Sequence, residues 1–263
     1  MNDYVRQSVD ARGVATLTLN QPAKHNAFDS ELIARLTDML GRLGTDDAVR
    51  AVVLTGEGKS FSAGADIRWM RSMADYDEAR NFEDSLRLAE LMSVLDGLGK
   101  PTVARVNGAA IGGGTGLVAC CDIAIAADNA VFAFSEVRLG LVPAVISPYV
   151  IAAIGPRQAR RYFLTAERFR APEAARIGLV HEAVPAADLD ERVETVLDAL
   201  LAGGPQALAS CKELVASVVN QDADSRDAAK QMTSRLIAQL RVSEEGQEGL
   251  GAFLEKRRPG WLD

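Results

Sequence analysis

The feature that most constrains the fold lies in residues 106–141, where three glycines, a short apolar segment and one carboxylate follow each other. Gly112, Gly113 and Gly114 follow an apolar run at residues 101–106, and the residues after them are small and apolar to position 121. This order predicts a strand, a tight turn and the start of a buried helix. The first amides of a helix lack internal partners, so the turn is suited to an anion or a developing oxyanion.

A second turn of small residues, at positions 63–66, follows a strongly apolar strand predicted at residues 49–55. Amides of both turns, if they point into one cleft, would form an oxyanion hole for a polarised carbonyl. Glu136 follows an apolar run at residues 131–134 and could move a proton at the neighbouring carbon. The alternatives are tight backbone packing for the small residues and a buried, paired structural role for the carboxylate.

The charge balance and the metal-binding residue types exclude several function classes. A net charge of -7 argues against a nucleic-acid-binding surface. Cys120, Cys121 and Cys211 lack metal-ligand spacing, and His25 and His181 are far apart in sequence, so we expect no metal site. No leader segment and no run of about 18 apolar residues is evident, so we expect a cytoplasmic protein without a membrane span.

Three common nucleotide and hydrolase motifs are also missing from the sequence. The spacing of Gly112, Gly114 and Gly116 does not match G-x-G-x-x-G, the fingerprint of a dinucleotide site. The chain has neither a P-loop nor a G-x-S-x-G nucleophile elbow. Strands and helices alternate to about residue 190, and almost everything beyond is helical in pattern. We therefore predict an α/β domain at residues 1–190 and a helical region at residues 191–263.

The chain resembles the enoyl-CoA hydratase/isomerase (crotonase) superfamily from end to end. An ordered set of short motifs carries the resemblance, and each alone would be weak: Asn26-Ala27, residues 61–66 (FSAGAD), Asn107-Gly108, the glycines at 112–114, residues 121–126 (CDIAIA), Ser135-Glu136 with Leu139-Gly140-Leu141 and Pro143, and residues 252–257 (AFLEKR).

This resemblance implies a spiral of repeated ββα units and a helical C-terminal part that mediates trimerisation, with trimers often pairing into hexamers. It implies an acyl-CoA thioester as ligand and no cofactor besides the coenzyme A that enters with the substrate. The oxyanion hole would fall on the amides of Ala65 and Gly113, with Glu136 as the acid/base. The remaining substrate-binding positions that it implies are Lys24, His25, Ala27, Ala63, Asp66, Ile67, Gly112, Gly116 and, from a neighbouring subunit, Phe253 and Lys256.

One departure from the family pattern affects the mechanism. Hydratases of the family with two glutamates carry one of them three residues after the oxyanion-hole glycine, where this chain has Gly116. Residues 64–70 and 135–148 resemble bacterial methylglutaconyl-CoA and isohexenylglutaconyl-CoA hydratases of leucine and acyclic-terpene breakdown. We therefore expect Gly116 to enlarge the pocket for a branched acyl group. A distal carboxylate would need a cation, for which Arg68, Arg71 and Arg138 are candidates, although each is more simply a surface residue.

Three functions remain open from the sequence. The first is hydration of a 2-enoyl-CoA, preferably of the 3-methylglutaconyl type, and the motifs around Glu136 favour it. The second is Δ3,Δ2-enoyl-CoA isomerisation, which needs one carboxylate only, and Gly116 favours it. The third is a catalytically idle CoA-binding scaffold, which the loss of a glutamate permits.

Overall fold

A computed structural model describes residues 4–73, 75–219 and 226–262 of the chain. The chain divides into two compact units. The first consists of Met1–Leu98 and Thr102–Thr195, and the second of Gly99–Pro101 and Val196–Asp263. The assignment of domains to residues 1–190 and 191–263 stays a prediction.

Ten strands in the described residues form two sheets, both within the first unit. They are β1 (Val5–Val9), β2 (Val14–Leu19), β3 (Ala51–Gly56), β4 (Ser60–Ser62), β5 (Thr102–Val106), β6 (Ala109–Ile111), β7 (Ile123–Ala127), β8 (Val131–Ala133), β9 (Phe169–Arg170) and β10 (Glu182–Val184). The larger sheet has the order β1-β2-β3-β5-β7-β10, and the smaller has the order β4-β6-β8-β9.

From β3 to β8, consecutive strands alternate between the two sheets, which makes the fold a spiral. The pairs β3/β4, β5/β6 and β7/β8 each give one strand to each sheet. Neighbouring strands from successive pairs run parallel, as β3 does with β5 and β6 does with β8. Helical residues follow each pair, so the predicted crotonase-like repetition of ββα units is confirmed.

Ten α-helices lie in the described residues: α1 (Ser30–Thr45), α2 (Ile67–Met73), α3 (Glu78–Asp96), α4 (Gly113–Cys120), α5 (Ser147–Thr165), α6 (Ala171–Ile177), α7 (Leu189–Leu201), α8 (Pro205–Val219), α9 (Arg226–Val242) and α10 (Glu244–Glu255). The residue types predict the N-cap of α1 at Asp29 or Ser30, and Asp29 is the cap, accepting a hydrogen bond from the Leu32 N–H at 2.9 Å. The Gly155-Pro156 pair predicts that a new helix starts there, and a kink at Gly155 (φ 73°) does divide α5 at this point.

The core of the first unit lies around the buried strands of the larger sheet and the apolar faces of α1 and α3. All six residues of β3 are buried, as expected for a strand that parallel neighbours flank on both sides. Helix α1 buries Leu32, Leu36 and Leu40, and α3 buries Leu91 and Leu95. This framework fixes the carboxyl ends of the strands, from which the turns at residues 63–66 and 112–114 begin.

The second unit is helical and carries apolar side chains on its surface. Its described helices include α8, α9 and α10, and Trp261 closes back on it by donating from Nε1 to the Ala202 carbonyl at 3.2 Å. The predicted break at residues 220–224 lies outside the described residues, as does Ala74 in the predicted break between α2 and α3. In the described part of the chain, we find no helix long and apolar enough to cross a bilayer.

Candidate active site

The glycine turn starts α4, as the sequence predicts, but it follows the short strand β6 and not the predicted strand at residues 101–106 directly. Gly112 has φ 52° and ψ −119°, and its N–H donates to the Ala133 carbonyl at 2.9 Å. That conformation favours glycine because it has no β-carbon. Gly113 is the first residue of α4, so its N–H has no acceptor within the helix. The turn is held from behind by Thr115, whose hydroxyl donates to the Ala110 carbonyl at 2.7 Å.

In the part of the chain that the structure describes, the backbone N–H of Ala65 is a second amide without an acceptor, and an isolated β-bridge with Phe28 leaves it so. The two residues form an isolated parallel bridge. Phe28 uses its own N–H and carbonyl there, bonding the Gly64 carbonyl at 2.6 Å and the Asp66 N–H at 2.7 Å. The N–H of Ala65 therefore points to the other side. Among the described residues we find no acceptor for it.

The two turns lie against each other. Gly64 has φ 83°, and a β-carbon on it would lie 2.7 Å from the Ile111 carbonyl oxygen and 3.8 Å from the Gly113 nitrogen. A β-carbon on Gly113 would in turn lie 2.7 Å from the Phe28 ring. Small residues are therefore required at both turns, and this close packing brings the Ala65 and Gly113 amides into one region.

Glu136 lies beside the glycine turn, in a short 3-10 helix at Glu136–Leu139 that follows β8. Its Oε1 is 3.0 Å from the position of a β-carbon on Gly112. Its Oε2 is buried and has no hydrogen-bond partner in the described part of the chain. Burial raises the pKa of the Glu136 carboxyl, and a hydrogen bond from its own backbone N–H offsets this only in part. An unpaired, desolvated carboxylate beside free amides is suited to proton transfer.

The structure corrects the expectation that Gly116 enlarges the pocket. The space in front of Gly116 is filled, because Ile146 Cγ2 occupies the place that a β-carbon would take. Ile146 Cβ is 2.9 Å and Met92 Cε 3.3 Å from that place. Gly116 itself is buried. The missing side chain at this position is therefore compensated by Ile146, which the sequence reasoning did not single out.

Lys24 and Asp66 contact each other instead of standing free for a ligand. The ammonium of Lys24 is 3.4 Å from the Asp66 carboxylate. Asp66 also caps α2, accepting from the N–H groups of Arg68 at 2.7 Å and Trp69 at 3.2 Å. Burial opposes ionisation of Asp66, but these hydrogen bonds and Lys24 hold its pKa below the usual value. Its carboxylate therefore has a structural role at the start of α2, and its role toward substrate stays a prediction.

The loop at residues 21–28 is held by Asn26, the buried first residue of the Asn26-Ala27 motif. Asn26 has φ 56° and donates from its amide nitrogen to the carbonyls of Glu57 at 3.0 Å and Ser60 at 2.8 Å. Next to it, His25 Nδ1 lies 3.0 Å from the Ser60 hydroxyl, and the Ala63 N–H donates to the His25 carbonyl at 2.9 Å. The structure thus brings the predicted residues of this loop to the turn at residues 63–66.

The other predicted substrate-binding residues differ in exposure. Ala27 is buried beside Asn26, and Ile67 is 66% exposed at the start of α2. Phe253, 81% exposed, and the exposed Lys256 lie at the end of α10 in the second unit. Their contribution to binding stays a prediction. Among the residues that the structure describes, no group of three or more His, Cys, Asp or Glu side chains could hold a metal ion.

Comparison with known proteins agrees with this geometry. Residues 10–263 match the family model described as enoyl-CoA hydratase/isomerase. The chain belongs to the enoyl-CoA hydratase/isomerase family. A crotonyl-CoA hydratase of Syntrophomonas wolfei is 34% identical over 95% of this chain and 94% of its own.

Solved structures of the family share the fold closely. An enoyl-CoA hydratase from Shewanella pealeana is 46% identical and superimposes with a TM-score of 0.94, covering 99% of this chain and 97% of its own. An enoyl-CoA hydratase from Mycobacterium smegmatis is 35% identical with a TM-score of 0.91, covering 99% of each chain. This member of the enoyl-CoA hydratase/isomerase family is therefore an enzyme of the enoyl-CoA hydratase class.

Proposed function

We propose that this enzyme adds water across the double bond of a 2-enoyl-CoA thioester, with Glu136 as its only acid/base. The observation that carries the proposal is the unpaired, buried Oε2 of Glu136 beside the turn in which the Gly113 N–H has no acceptor within its helix. A carboxylate in that state can accept a proton from water and return it to carbon. The Ala65 and Gly113 N–H groups would hold the thioester oxygen.

The proposed reaction proceeds in two linked proton transfers. Glu136 removes one proton from water while the water oxygen bonds to the β-carbon of the acyl group. The electron pair of the double bond moves toward the thioester carbonyl, whose oxygen gains negative charge and accepts hydrogen bonds from Ala65 and Gly113. Glu136 then delivers the proton to the α-carbon on the same face, so the addition is syn and all atoms of water are retained.

The proposed substrate is a branched acyl-CoA of the 3-methylglutaconyl type. The resemblance of residues 64–70 and 135–148 supports it, whereas the filled space at Gly116 removes the argument from pocket size. Arg68, Arg71 and Arg138 are exposed and remain candidates to meet a distal carboxylate. Such a charge is costly to bury without a partner.

Isomerisation of a 3-enoyl-CoA is the second candidate. The apolar Ile146 in front of Gly116 favours it, because a single carboxylate can move a proton between the α- and γ-carbons without water. One panel separates the candidates: crotonyl-CoA, 3-methylglutaconyl-CoA and a 3-enoyl-CoA, followed by absorbance of the enoyl thioester and by product analysis. Hydration supports the proposal. Isomerisation without hydration replaces it, and tight CoA binding without turnover of any substrate leaves an idle scaffold.

We further propose that the chain acts as a homotrimer or a hexamer. Several large apolar side chains of the second unit are exposed, which is typical of surfaces that self-associate. Light scattering coupled to size exclusion would show a mass of three or six chains, and a monomer at micromolar concentration would contradict the proposal. The side chains in question are Val215, Val218, Val219, Ile237, Val242, Leu250, Phe253 and Leu254.

A further inference from the structure

Two glycines at the start of α4 are each covered by a different side chain. Gly112 and Gly116 are four residues apart, and the Gly116 N–H donates to the Gly112 carbonyl at 3.1 Å. Gly112 is the N-cap of α4, and Gly116 lies one turn further along the chain, within the helix. Glu136 covers the first glycine and Ile146 covers the second. The carboxylate and the isoleucine therefore cover positions that are one turn apart at the start of α4.

Ile146 is held firmly in that place. It is 3% exposed and precedes the first residue of α5, where its carbonyl accepts from the Val150 N–H at 3.1 Å. A β-branched side chain has few rotamers, so it cannot easily swing away. Met92 closes the gap behind it, fully buried and with its sulfur 3.6 Å from the Cys120 sulfur. The wall beside the carboxylate is thus apolar and close-packed.

We propose that Ile146 determines which substituents the enzyme accepts at C3 of the acyl group. The inference rests on the proposed hydration, in which Glu136 acts at the α- and β-carbons. The β-carbon is C3, so a substituent there lies next to the carboxylate and meets the side chain that covers the first turn of α4. That side chain is Ile146, seated on the bare Gly116. The substituent favoured by this wall is small and apolar.

The expected discrimination is modest, because one methylene in an apolar pocket changes affinity by about 10–200-fold at most. Shortening Ile146 moves the wall back and leaves room for a branch. The Ile146→Val variant removes one methylene of this side chain, and the Ile146→Ala variant removes more. Ile154→Val is the matched control, since Ile154 is also buried on α5, at 6% exposure, and loses the same methylene. Any general loss of packing would affect the Ile146→Val and Ile154→Val variants alike.

The test measures the dissociation constants of butyryl-CoA and isovaleryl-CoA by calorimetry. These saturated thioesters cannot react, and they differ by one methyl group at C3. We expect the relative affinity for isovaleryl-CoA to rise by about 10-fold in Ile146→Ala and less in Ile146→Val. In the Ile154→Val control it should stay within about twofold of the wild-type value.

A rise in the relative affinity for isovaleryl-CoA that is confined to the Ile146 variants supports the proposal, and a fall overturns it. A ratio within about twofold of wild type in both Ile146 variants, or an equal shift in Ile154→Val, overturns it. Hydration of crotonyl-CoA by the wild-type enzyme is measured in parallel. If the wild-type enzyme binds the thioesters but does not hydrate crotonyl-CoA, the proposed function is wrong, and the ratio of the two dissociation constants still decides the role of Ile146. If the wild-type enzyme binds neither thioester, both proposals are overturned.

Discussion

The carboxylate of Glu136 lies directly against Gly112, with Oε1 3.0 Å from the place of a β-carbon on that glycine. Any side chain at residue 112 would displace the carboxylate, and Gly112 also starts the helix whose first amide lies at Gly113. The acid/base and the oxyanion donor are therefore positioned by the same turn. Disturbing the turn should impair both functions together.

Replacing Glu136 with Gln should abolish turnover and leave the fold and CoA affinity nearly unchanged. The amide keeps the shape of the side chain but cannot accept a proton from water, and general acid–base catalysis typically contributes about 10²–10⁴-fold. Steady-state kinetics with crotonyl-CoA, together with calorimetry of butyryl-CoA binding, would test this. A loss of less than about tenfold would remove Glu136 from its assigned role.

The raised pKa of Glu136 predicts how activity depends on pH. Hydration needs the ionised carboxylate, so kcat/KM should fall as pH decreases through the raised pKa, above the range of an ordinary glutamate near 4.3. A profile measured from pH 4.5 to 8 would show this acidic limb. An enzyme that keeps full activity down to pH 4.5 would contradict the shift.

The same shift makes a prediction for stability. Between the ordinary and the raised pKa the folded state holds a proton on Glu136 that the unfolded state has lost, so stability falls as pH rises through that window. Ionisation of Glu136 therefore destabilises the fold at neutral pH. Glu136→Gln should be more thermostable than wild type at pH 7.5, and the difference should shrink toward pH 4.5. If the variant and the wild-type enzyme have the same melting temperature at pH 7.5 and also at pH 4.5, the prediction is wrong.

Adding one methyl group at Gly113 should reduce activity strongly. A β-carbon there would lie 2.7 Å from the Phe28 ring, so the start of α4 must move and its amide moves with it. Loss of one oxyanion donor costs about 10²–10³-fold in kcat. Gly41→Ala is the control, because residue 41 lies in α1 with no atom within 4 Å of the new carbon, and alanine there should stabilise by about 0.5–1 kcal/mol. Unchanged kcat in Gly113→Ala would rule out the assigned donor.

The packing of Ile146 on Gly116 predicts a strong coupling between substitutions at the two positions. Gly116→Ala alone should destabilise by about 1–3 kcal/mol, because Ile146 already occupies the place of the new carbon. Ile146→Ala alone leaves a cavity, and the double variant should recover part of both losses. Denaturant unfolding of the four proteins measures the coupling. Additive effects would show that the two residues do not share this space.

The arrangement of the repeated units could be predicted from the sequence better than the short strands that complete it. Runs such as residues 51–56 are long enough for an apolar strand to be evident, and Gly112–Gly114 mark a turn by residue type alone. Strands β4, β6 and β8 have three residues each, too few for alternation to be recognised. Only the resemblance to a known family implied them.

The candidate site shows the same limit. Glu136, Ala65 and Gly113 were predicted because their residue types and neighbours carry chemistry that is local in sequence. Ile146 was missed because its effect depends on a contact across 30 positions with a residue that has no side chain. A missing side chain indicates space in a sequence, but only packing shows what occupies that space.

The bridge between Phe28 and Ala65 has a consequence for how this enzyme can vary. Its hydrogen-bonding pattern, and not any functional group of a side chain, leaves the Ala65 N–H unused. Every residue except proline would bring the same donor to that position. Substitutions at position 65 can therefore change the shape of the cleft while the N–H donor is kept. Evolution could in this way alter which substrates fit without removing a group that the reaction needs.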